Sequence, residues 1–157
     1  MRYFTRDRLQ RVQDDIGAQE TDAQREVRVE TAIKDWDQAN DAYLDYLAEV
    51  RQSITPDVAE LTETTFHDAV CESISHADGI VEILLDTRHA LVTTRGHATI
   101  RFCGVKRADG LESAVGQWLL YEEVEVLASG YEFRALLERS EILIQFDAVA
   151  IAYRPER

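Results

Sequence analysis

The spacing of apolar residues changes once along the chain, near residue 65, and this change constrains the fold more than any other feature. Before it, apolar residues recur every three or four positions, as in amphipathic helices; after it they alternate, as in strands with one buried face. This order predicts an α+β fold in which N-terminal helices, one of them long, pack on a mostly antiparallel sheet of about six strands. We expect a single domain over residues 1–157, helical over 1–63 and β-rich over 64–157.

A long helix is predicted over about residues 21–53. Thr21 and Gln24 form a capping-box pattern at its start. Its apolar seam has spacings of 3, 4, 3, 4, 3 and 4: Val29, Ala32, Trp36, Ala39, Tyr43, Tyr46 and Val50. Seven positions are too few to specify a coiled coil, so we expect the seam to pack against a shorter helix over 6–17 or against the sheet. Thr55-Pro56 then has the order of a cap and a first helical residue.

The β-rich part contains six segments with alternating apolar residues. They cover residues 80–85, 98–103, 118–126, 131–137, 142–146 and 149–153. Turn residues such as Asp78-Gly79 separate the segments, and the short connections favour antiparallel pairing. The alternation reverses its phase near Asp147, which predicts a bulge or a strand that crosses between faces.

The acidic balance of the chain excludes functions that need a basic surface. With 30 acidic and 17 basic residues, the formal net charge is −13. Nucleic acids and anionic membranes both select basic surfaces, so we expect neither as a partner. The longest apolar run, 148–153, is too short to cross a bilayer, and the charged N-terminus is unlike a signal peptide. Two cysteines are too few for a disulfide framework, and together these features predict a cytoplasmic protein.

Sequence motifs for nucleotide, metal and nucleophilic chemistry are absent from the chain. It has no GxxxxGK[ST], GxGxxG, HExxH or GxSxG segment. The candidate metal ligands are scattered: His67, Cys71, His76, His89, His97 and Cys103. On a strand, His67 and Cys71 would lie about 13 Å apart, too far to chelate one ion. We therefore predict no cofactor and no metal site, and expect the cysteines to pack as small apolar side chains.

Glu122 is the sharpest candidate for acid–base chemistry. Alternation places it on the same inward face as Val124, whereas Glu123 and Glu125 are predicted to face solvent. Burial raises the pKa of a carboxyl group, and such residues are candidate acids or bases. Two alternatives stay open: a bulge or sheet edge turns Glu122 outward, or an arginine neutralises it. The sequence shows no second catalytic group.

Acidic residues line one side of the predicted long helix. From Asp35 to Val50 there are five acidic residues and no basic one. Four of them follow one another at i+4 spacing: Asp37, Asp41, Asp45 and Glu49. Like charges at this spacing destabilise a helix by about 0.2–0.5 kcal/mol per pair, and the C-terminal end of the helix dipole disfavours them further.

Three interpretations of this acidic row are considered. It is a solvated face that keeps the chain soluble, or it is a docking surface for a basic protein. Calcium fits less well, because a straight helix spaces the carboxylates about 6 Å apart instead of wrapping them round one ion.

Short landmarks towards both ends of the chain resemble a known family. They are Met1-Arg2-Tyr3-Phe4-Thr5, Phe66-His67-Asp68-Ala69, and Trp118 followed by Glu122-Glu123. Together they resemble an uncharacterised bacterial domain family whose members open with a Met-Lys-Tyr-Phe-Thr-like segment. The resemblance implies a bacterial cytoplasmic protein and brings no established activity, so no catalytic residue is carried over. More loosely, a small acidic α+β protein is similar in type to the immunity proteins that neutralise basic toxins.

The sequence therefore predicts a non-enzymatic binding protein that engages a basic protein partner through Asp37, Asp41, Asp45 and Glu49, as an immunity-type protein does. The alternative is a small enzyme with a pocket around Glu122. A third possibility is a structural or homo-oligomeric module that assembles through the aromatic seam or an open sheet edge.

Overall fold

The computed structural model describes residues 2–13, 21–91 and 96–155, and the chain divides into two compact units, Met1–Glu49 and Val50–Arg157. The helices are α1 (Arg6–Gln13), α2 (Asp22–Val50), α3 (Pro56–Glu63) and α4 (Leu111–Ala114). The strands are β1 (Val70–Ala77), β2 (Ile80–Asp86), β3 (Gly96–Cys103), β4 (Arg107–Asp109), β5 (Leu119–Val126), β6 (Tyr131–Leu137), β7 (Glu141–Phe146) and β8 (Ala148–Pro155). The α+β class is confirmed, and the single domain over 1–157 stays a prediction.

Helix α2 begins and runs as its sequence predicts. The Thr21 amide donates to Gln24 Oε1 at 3.0 Å and the Gln24 amide donates to Thr21 Oγ1 at 3.3 Å, which is the reciprocal pair of a capping box. The apolar seam is the buried side of the helix, with Ala32, Ala39 and Tyr43 its most enclosed members. At the other end, α2 stops at Val50, three residues before the predicted end.

The first unit has a small aromatic core between its N-terminal segment and α2. The Tyr3 ring centroid lies 5.1 Å from that of Tyr43, and the Phe4 centroid lies 5.5 Å from those of Tyr43 and Trp36. Helix α1 follows this segment, and its arginines reach α2 through Asp35 (3.2 Å from Arg8 Nε, 3.3 Å from Arg11 Nη2). The short helix predicted over 6–17 is present as far as Gln13; Ile16 and Gly17, proposed for its end, lie outside the described residues.

The second unit contains two four-stranded antiparallel sheets, with strand orders β1-β2-β3-β8 and β4-β7-β6-β5. The described residues thus form eight strands instead of about six. Strand β1 escaped prediction because most of its side chains are exposed and do not alternate, and β4 because it has only three residues. The reversal of phase at Asp147 is a crossing between sheets, since β7 belongs to one sheet and β8, which follows directly, to the other.

One hydrophobic core fills the space between the two sheets. The inward residues of β2 and β3 are almost fully buried, and Phe102 packs 5.1 Å from Phe133 and 5.0 Å from Phe146, measured between ring centroids. Helix α3 packs against β8 and adds Val58 and Leu61 to this core. Thr55 and Pro56 occupy the cap and first positions of α3, as predicted.

Candidate functional site

The acidic residues of α2 form a continuous exposed surface. Asp41 is nine residues from Ala32, two and a half helical turns at 3.6 residues each, so it lies opposite the buried seam. All four acidic residues of the predicted row are exposed. Together with two exposed apolar neighbours they form what we call the α2 acidic face: Ile33, Asp37, Asp41, Leu44, Asp45 and Glu49.

The apolar members of the α2 acidic face were not predicted. Ile33 stands one i+4 step before Asp37 and is 45% exposed, and Leu44 lies beside Asp41 and Asp45 and is 54% exposed. Single exposed apolar residues are common on protein surfaces. Ile33 and Leu44 therefore add exposed apolar area to the row of carboxylates.

The charges of the acidic row are not compensated within the described chain. Among residues 2–13, 21–91 and 96–155, none forms an ion pair with the side chain of Asp37, Asp41, Asp45 or Glu49 or donates a hydrogen bond to it. The last turn of α2 has no basic residue. By contrast, Asp35 just before the row accepts two arginines of α1.

Glu122 faces the core although its strand is irregular. The register of β5 shifts between Leu119 and Tyr121, and β5 is an edge strand, so both features that could have turned Glu122 outward are present. Nevertheless Glu122 pairs with Ala135, on the face of β6 that carries the core residue Phe133. The inward position of Glu122 therefore survives the bulge.

The carboxylate of Glu122 is enclosed and only half satisfied. The Phe66 amide donates to Oε1 at 2.7 Å, whereas Oε2 is buried and has no hydrogen-bond partner among the described residues. Burial raises the pKa of Glu122 to about 7, against the opposing effect of hydrogen bonds from the Phe66 amide and the Thr65 hydroxyl. Part of the side chain is accessible, but the carboxylate end, which titrates, is not.

Two side chains near Glu122 in sequence lie on the other face of β5. Tyr121 stacks edge-on to His67 with ring centroids 5.3 Å apart, and burial raises its pKa, with Asp68 and Glu122 adding to the effect. Tyr121 and Glu122 are neighbours on the strand and point to opposite faces, yet the carboxylate of Glu122 is close enough to act on the pKa of Tyr121. Glu123 lies on that face too, and the expectation that it is solvated was wrong, since it is only 1% exposed.

The scattered histidines and cysteines do not assemble into a site in the described chain. No three His, Cys, Asp or Glu side chains of residues 2–13, 21–91 and 96–155 are arranged to hold a metal ion. Cys71 is fully buried, and burial raises its pKa to about 11, so it carries almost no reactive thiolate at neutral pH. His97 Nε2 in β3 lies 3.4 Å from Glu72 Oε2 in β1, across the intervening strand β2.

No helix within the described ranges is long and apolar enough to cross a membrane.

The chain belongs to a family of proteins of unknown function, DUF4085, whose family model matches residues 19–145. Membership of an uncharacterised family was predicted from the sequence and is confirmed. The match begins after the Met1-Arg2-Tyr3-Phe4-Thr5 segment and so does not test that landmark. Searches of curated proteins and of solved structures found no match.

Proposed function

We propose that this DUF4085 protein is a non-enzymatic binding protein that engages a basic protein partner through the α2 acidic face. The observation that carries the proposal is an uncompensated row of four exposed carboxylates with exposed Ile33 and Leu44 in the same surface. From Asp37 to Glu49 the row spans twelve residues, about 18 Å along the helix, enough for several contacts with one partner.

The acidic row has a cost for the isolated chain, which supports a use for it in a complex. Its three i, i+4 pairs of like charge together destabilise α2 by about 0.6–1.5 kcal/mol. Glu49 adds to this because it lies in the last turn, where the helix dipole favours cations. A basic partner removes these repulsions, and the same field speeds its association.

The two kinds of residue in the α2 acidic face are expected to act on different rate constants. Carboxylates at the rim of an interface mainly steer the encounter, so they affect the association rate and its dependence on salt. An apolar side chain desolvated at the centre mainly affects dissociation. Leu44, with carboxylates on both sides, is in the position of such a central apolar side chain.

The first experiment is affinity capture from lysate of the native host at low and high salt, followed by binding kinetics with the captured protein. Reversing Asp41 and Asp45 to lysine should lower the association rate at least about tenfold at low salt and flatten its salt dependence. The matched control reverses Asp57 and Glu60 on α3, which are also exposed and give the same change in net charge. Equal rates for the two double variants would remove the α2 acidic face from the interface.

The apolar contribution is tested separately with Leu44→Ala. It should raise the dissociation rate about five- to tenfold, corresponding to about 1–1.4 kcal/mol, with little effect on association. Val27→Ala is the control, because Val27 is 64% exposed on the same helix but lies outside the α2 acidic face.

The proposal includes a bacterial cytoplasmic setting and an immunity-type role, and it excludes nucleic acid as the partner. The setting is supported by the sequence resemblance and by both cysteines, Cys71 and Cys103, being free. An immunity-type role has a genetic test: the neighbouring gene should encode a basic toxin, and co-expression of the wild-type chain should neutralise it where the Asp41/Asp45 double reversal does not.

A second candidate function, a small enzyme that uses Glu122, is favoured by one observation. Its carboxyl group is buried, has a pKa raised to about 7 and keeps one oxygen without a partner, as expected for a general acid or base. The test is a screen for small-molecule ligands by thermal shift with wild type and Glu122→Gln. Ligands that stabilise only the wild type would favour the enzyme; an identical profile for both proteins would exclude a site at Glu122.

A third candidate, assembly into homo-oligomers, is tested by light scattering over a range of concentrations. A mass that rises with concentration would favour it.

A further inference from the structure

A groove runs along the outer edge of β1 in the second unit. It has a volume of about 630 Å³ and lies between β1 on one side and the segment from β4 to α4 on the other. Apolar side chains from both sides line it, together with a histidine and a glutamate: Ile74, Ala108, Leu111, Val115, His76 and Glu112. The volume is within the range of pockets that bind ligands.

The first half of β1 is paired on its outer edge, and the second half is not. Val70 bridges to Trp118, Cys71 accepts a hydrogen bond from the Gly116 amide at 2.7 Å, and the Cys71 amide donates to Gln117 at 2.9 Å. Beyond this point β1 is the end strand of its sheet, paired only with β2 over 73–77. The groove therefore lies beside the unpaired part of β1, which gives about 17 Å of open edge over 73–77.

The register of the hairpin shows which backbone groups point into the groove. Asp78 and Gly79 both have positive φ, 52° and 70°, so the loop is a two-residue turn in which Ala77 and Ile80 exchange hydrogen bonds. Pairs then alternate along the hairpin, which puts Ile74 and His76 in non-hydrogen-bonded pairs with β2. The amide and carbonyl groups of these two residues, four groups in all, therefore point away from β2. Ile74 and His76 are also the two β1 residues that line the groove.

Strand β1 has a bulge between Cys71 and Ser73, but beyond it the edge lacks the protection that the other sheet edges have. Strand β4 is only three residues long, and β5 carries a bulge and several glutamates. Strand β8 is packed against α3 and ends in proline. In contrast, the run 73–77 is in regular register and contains no Lys, Arg, Asp, Glu or Pro. An open edge without such features is a template for another strand.

We propose that the β1 groove binds an extended peptide segment with alternating apolar and basic residues, which adds as a strand to Ile74 and His76. The backbone edge supplies the pairing, and Ile74, Leu111 and Val115 accept the apolar side chains on one face of the added strand. The charge of the groove favours a basic residue in the segment. Asp109 is occupied by Arg107 Nε at 2.6 Å, whereas Glu112 is exposed and has no ion pair with a described residue. This site lies in another surface than the α2 acidic face and does not depend on the function proposed for it.

The test uses the full chain and the capped peptide acetyl-Val-Lys-Val-Lys-Val-amide in an NMR titration of backbone amides. We expect saturable shifts at Ile74, His76 and Val115, with a dissociation constant below about 1 mM, that is, a binding free energy stronger than about −4 kcal/mol. The matched peptide with glutamate in place of both lysines should bind at least about tenfold more weakly, and Glu112→Gln should narrow that difference.

Two further reagents separate strand addition from loose adhesion. Alternate residues of a strand direct their amides to opposite edges, so a peptide N-methylated at every valine is blocked on one edge and a peptide N-methylated at every lysine on the other. Only one edge of the added strand pairs with β1. One of the two peptides should therefore lose binding, and the other should keep it. His76→Pro should also abolish binding, because it removes an outward amide; it is tolerated in folding because that amide is not used in the pairing with β2. Ser73→Ala, on the same strand, is the control.

The proposal is overturned if the lysine peptide gives no saturable shifts, if the shifts fall on α2, or if both methylated peptides bind equally. A second result would also overturn it: the wild-type chain dimerises, His76→Pro abolishes the dimer, and no peptide binds. In that case the strand that occupies the β1 groove belongs to a second copy of the chain.

Discussion

Replacing Glu122 with glutamine is expected to stabilise the second unit above pH 7 and to change its stability little near pH 4. Burial raises the pKa of Glu122 to about 7 in the folded chain, from an ordinary value of 4.5 that the unfolded chain retains. Between these pH values the folded state keeps a proton that the unfolded state has released. Stability contributed by this group therefore falls as pH rises from 4.5 to 7, and is constant outside that window.

The size of the effect follows from the same two values. A difference of about 2.5 pH units, at about 1.4 kcal/mol each, gives about 3 kcal/mol between pH 4 and pH 8. Glutamine has the shape of the protonated acid and its Oε1 can still accept the Phe66 amide, so the variant avoids the cost of a buried charge. The stability of Glu122→Gln minus that of the wild type should rise from near zero at pH 4 to about 3 kcal/mol at pH 8.

The assay is urea unfolding from pH 4 to pH 8, followed by tryptophan fluorescence. The chain has two tryptophans, and Trp36→Phe leaves Trp118, in the second unit, as the reporter. Glu60→Gln is the control, because Glu60 is exposed on α3 and should show no such window. A difference that stays constant from pH 4 to pH 8, or a variant that is less stable at pH 8, would refute the reasoning.

Three further predictions concern other single residues. Asp45→Lys replaces two repulsive pairs on α2 with two attractive ones and should stabilise the helix by about 1 kcal/mol in low-salt urea unfolding; a loss of stability would contradict the assigned repulsion. Cys103, partly exposed, should react with a thiol reagent at pH 8 at least about 100-fold faster than Cys71, read by mass spectrometry, and equal rates would contradict the burial of Cys71. The side-chain hydrogen bonds of Arg88 lower the pKa of Asp86 to about 2, so Asp86→Asn should be less stable than wild type at pH 7. Between pH 4 and pH 2 the variant should lose less stability than the wild type, because the wild type must protonate Asp86. Free energies of unfolding that fall in parallel for the two proteins over this range would contradict the prediction.

Much of the second unit could be predicted because its strands bury one face against a shared core. The alternating residues of β2, Val81, Ile83 and Leu85, are at most 2% exposed, as their spacing predicts. The same logic fails for β1, whose outer edge is only partly covered and whose exposed residues carry no alternation. Hydrophobic spacing detects a strand only where burial selects its side chains.

The bulge in β5 shows a second limit of the same reasoning. Simple alternation groups Trp118 with Val124, yet Trp118 is 39% exposed and its neighbour Leu119 is buried. One extra residue between Leu119 and Tyr121 shifts the alternation, so that Glu122 faces inward as predicted. At the start of the strand the same alternation assigns the wrong residues to the inward face. A bulge depends on strand pairing, which one sequence does not show.

The candidate sites divide in the same way. The acidic row of α2 was predictable because exposure on a helix follows from spacing relative to a strong apolar seam. Its apolar members Ile33 and Leu44 were not, because apolar residues of an amphipathic helix are usually assigned to its buried side. The β1 groove was not predictable either, since it requires Ile74 and Leu111, which are distant in sequence, to come together.

The identity of residue 122 bears on the choice between the proposed functions. A structural role explains an acceptor at this position, because the Phe66 amide would otherwise lack its 2.7 Å partner. Glutamine supplies the same acceptor without the cost of ionisation. The role in folding therefore explains why residue 122 has a side-chain oxygen, but not why it is an acid. If Glu122→Gln gains stability at pH 8 and keeps full binding to the captured partner, the acid has no part in the binding function. A variant that is more stable but has lost a ligand or an activity would show that the proton at Glu122 is used, which would favour the enzyme over the binding protein.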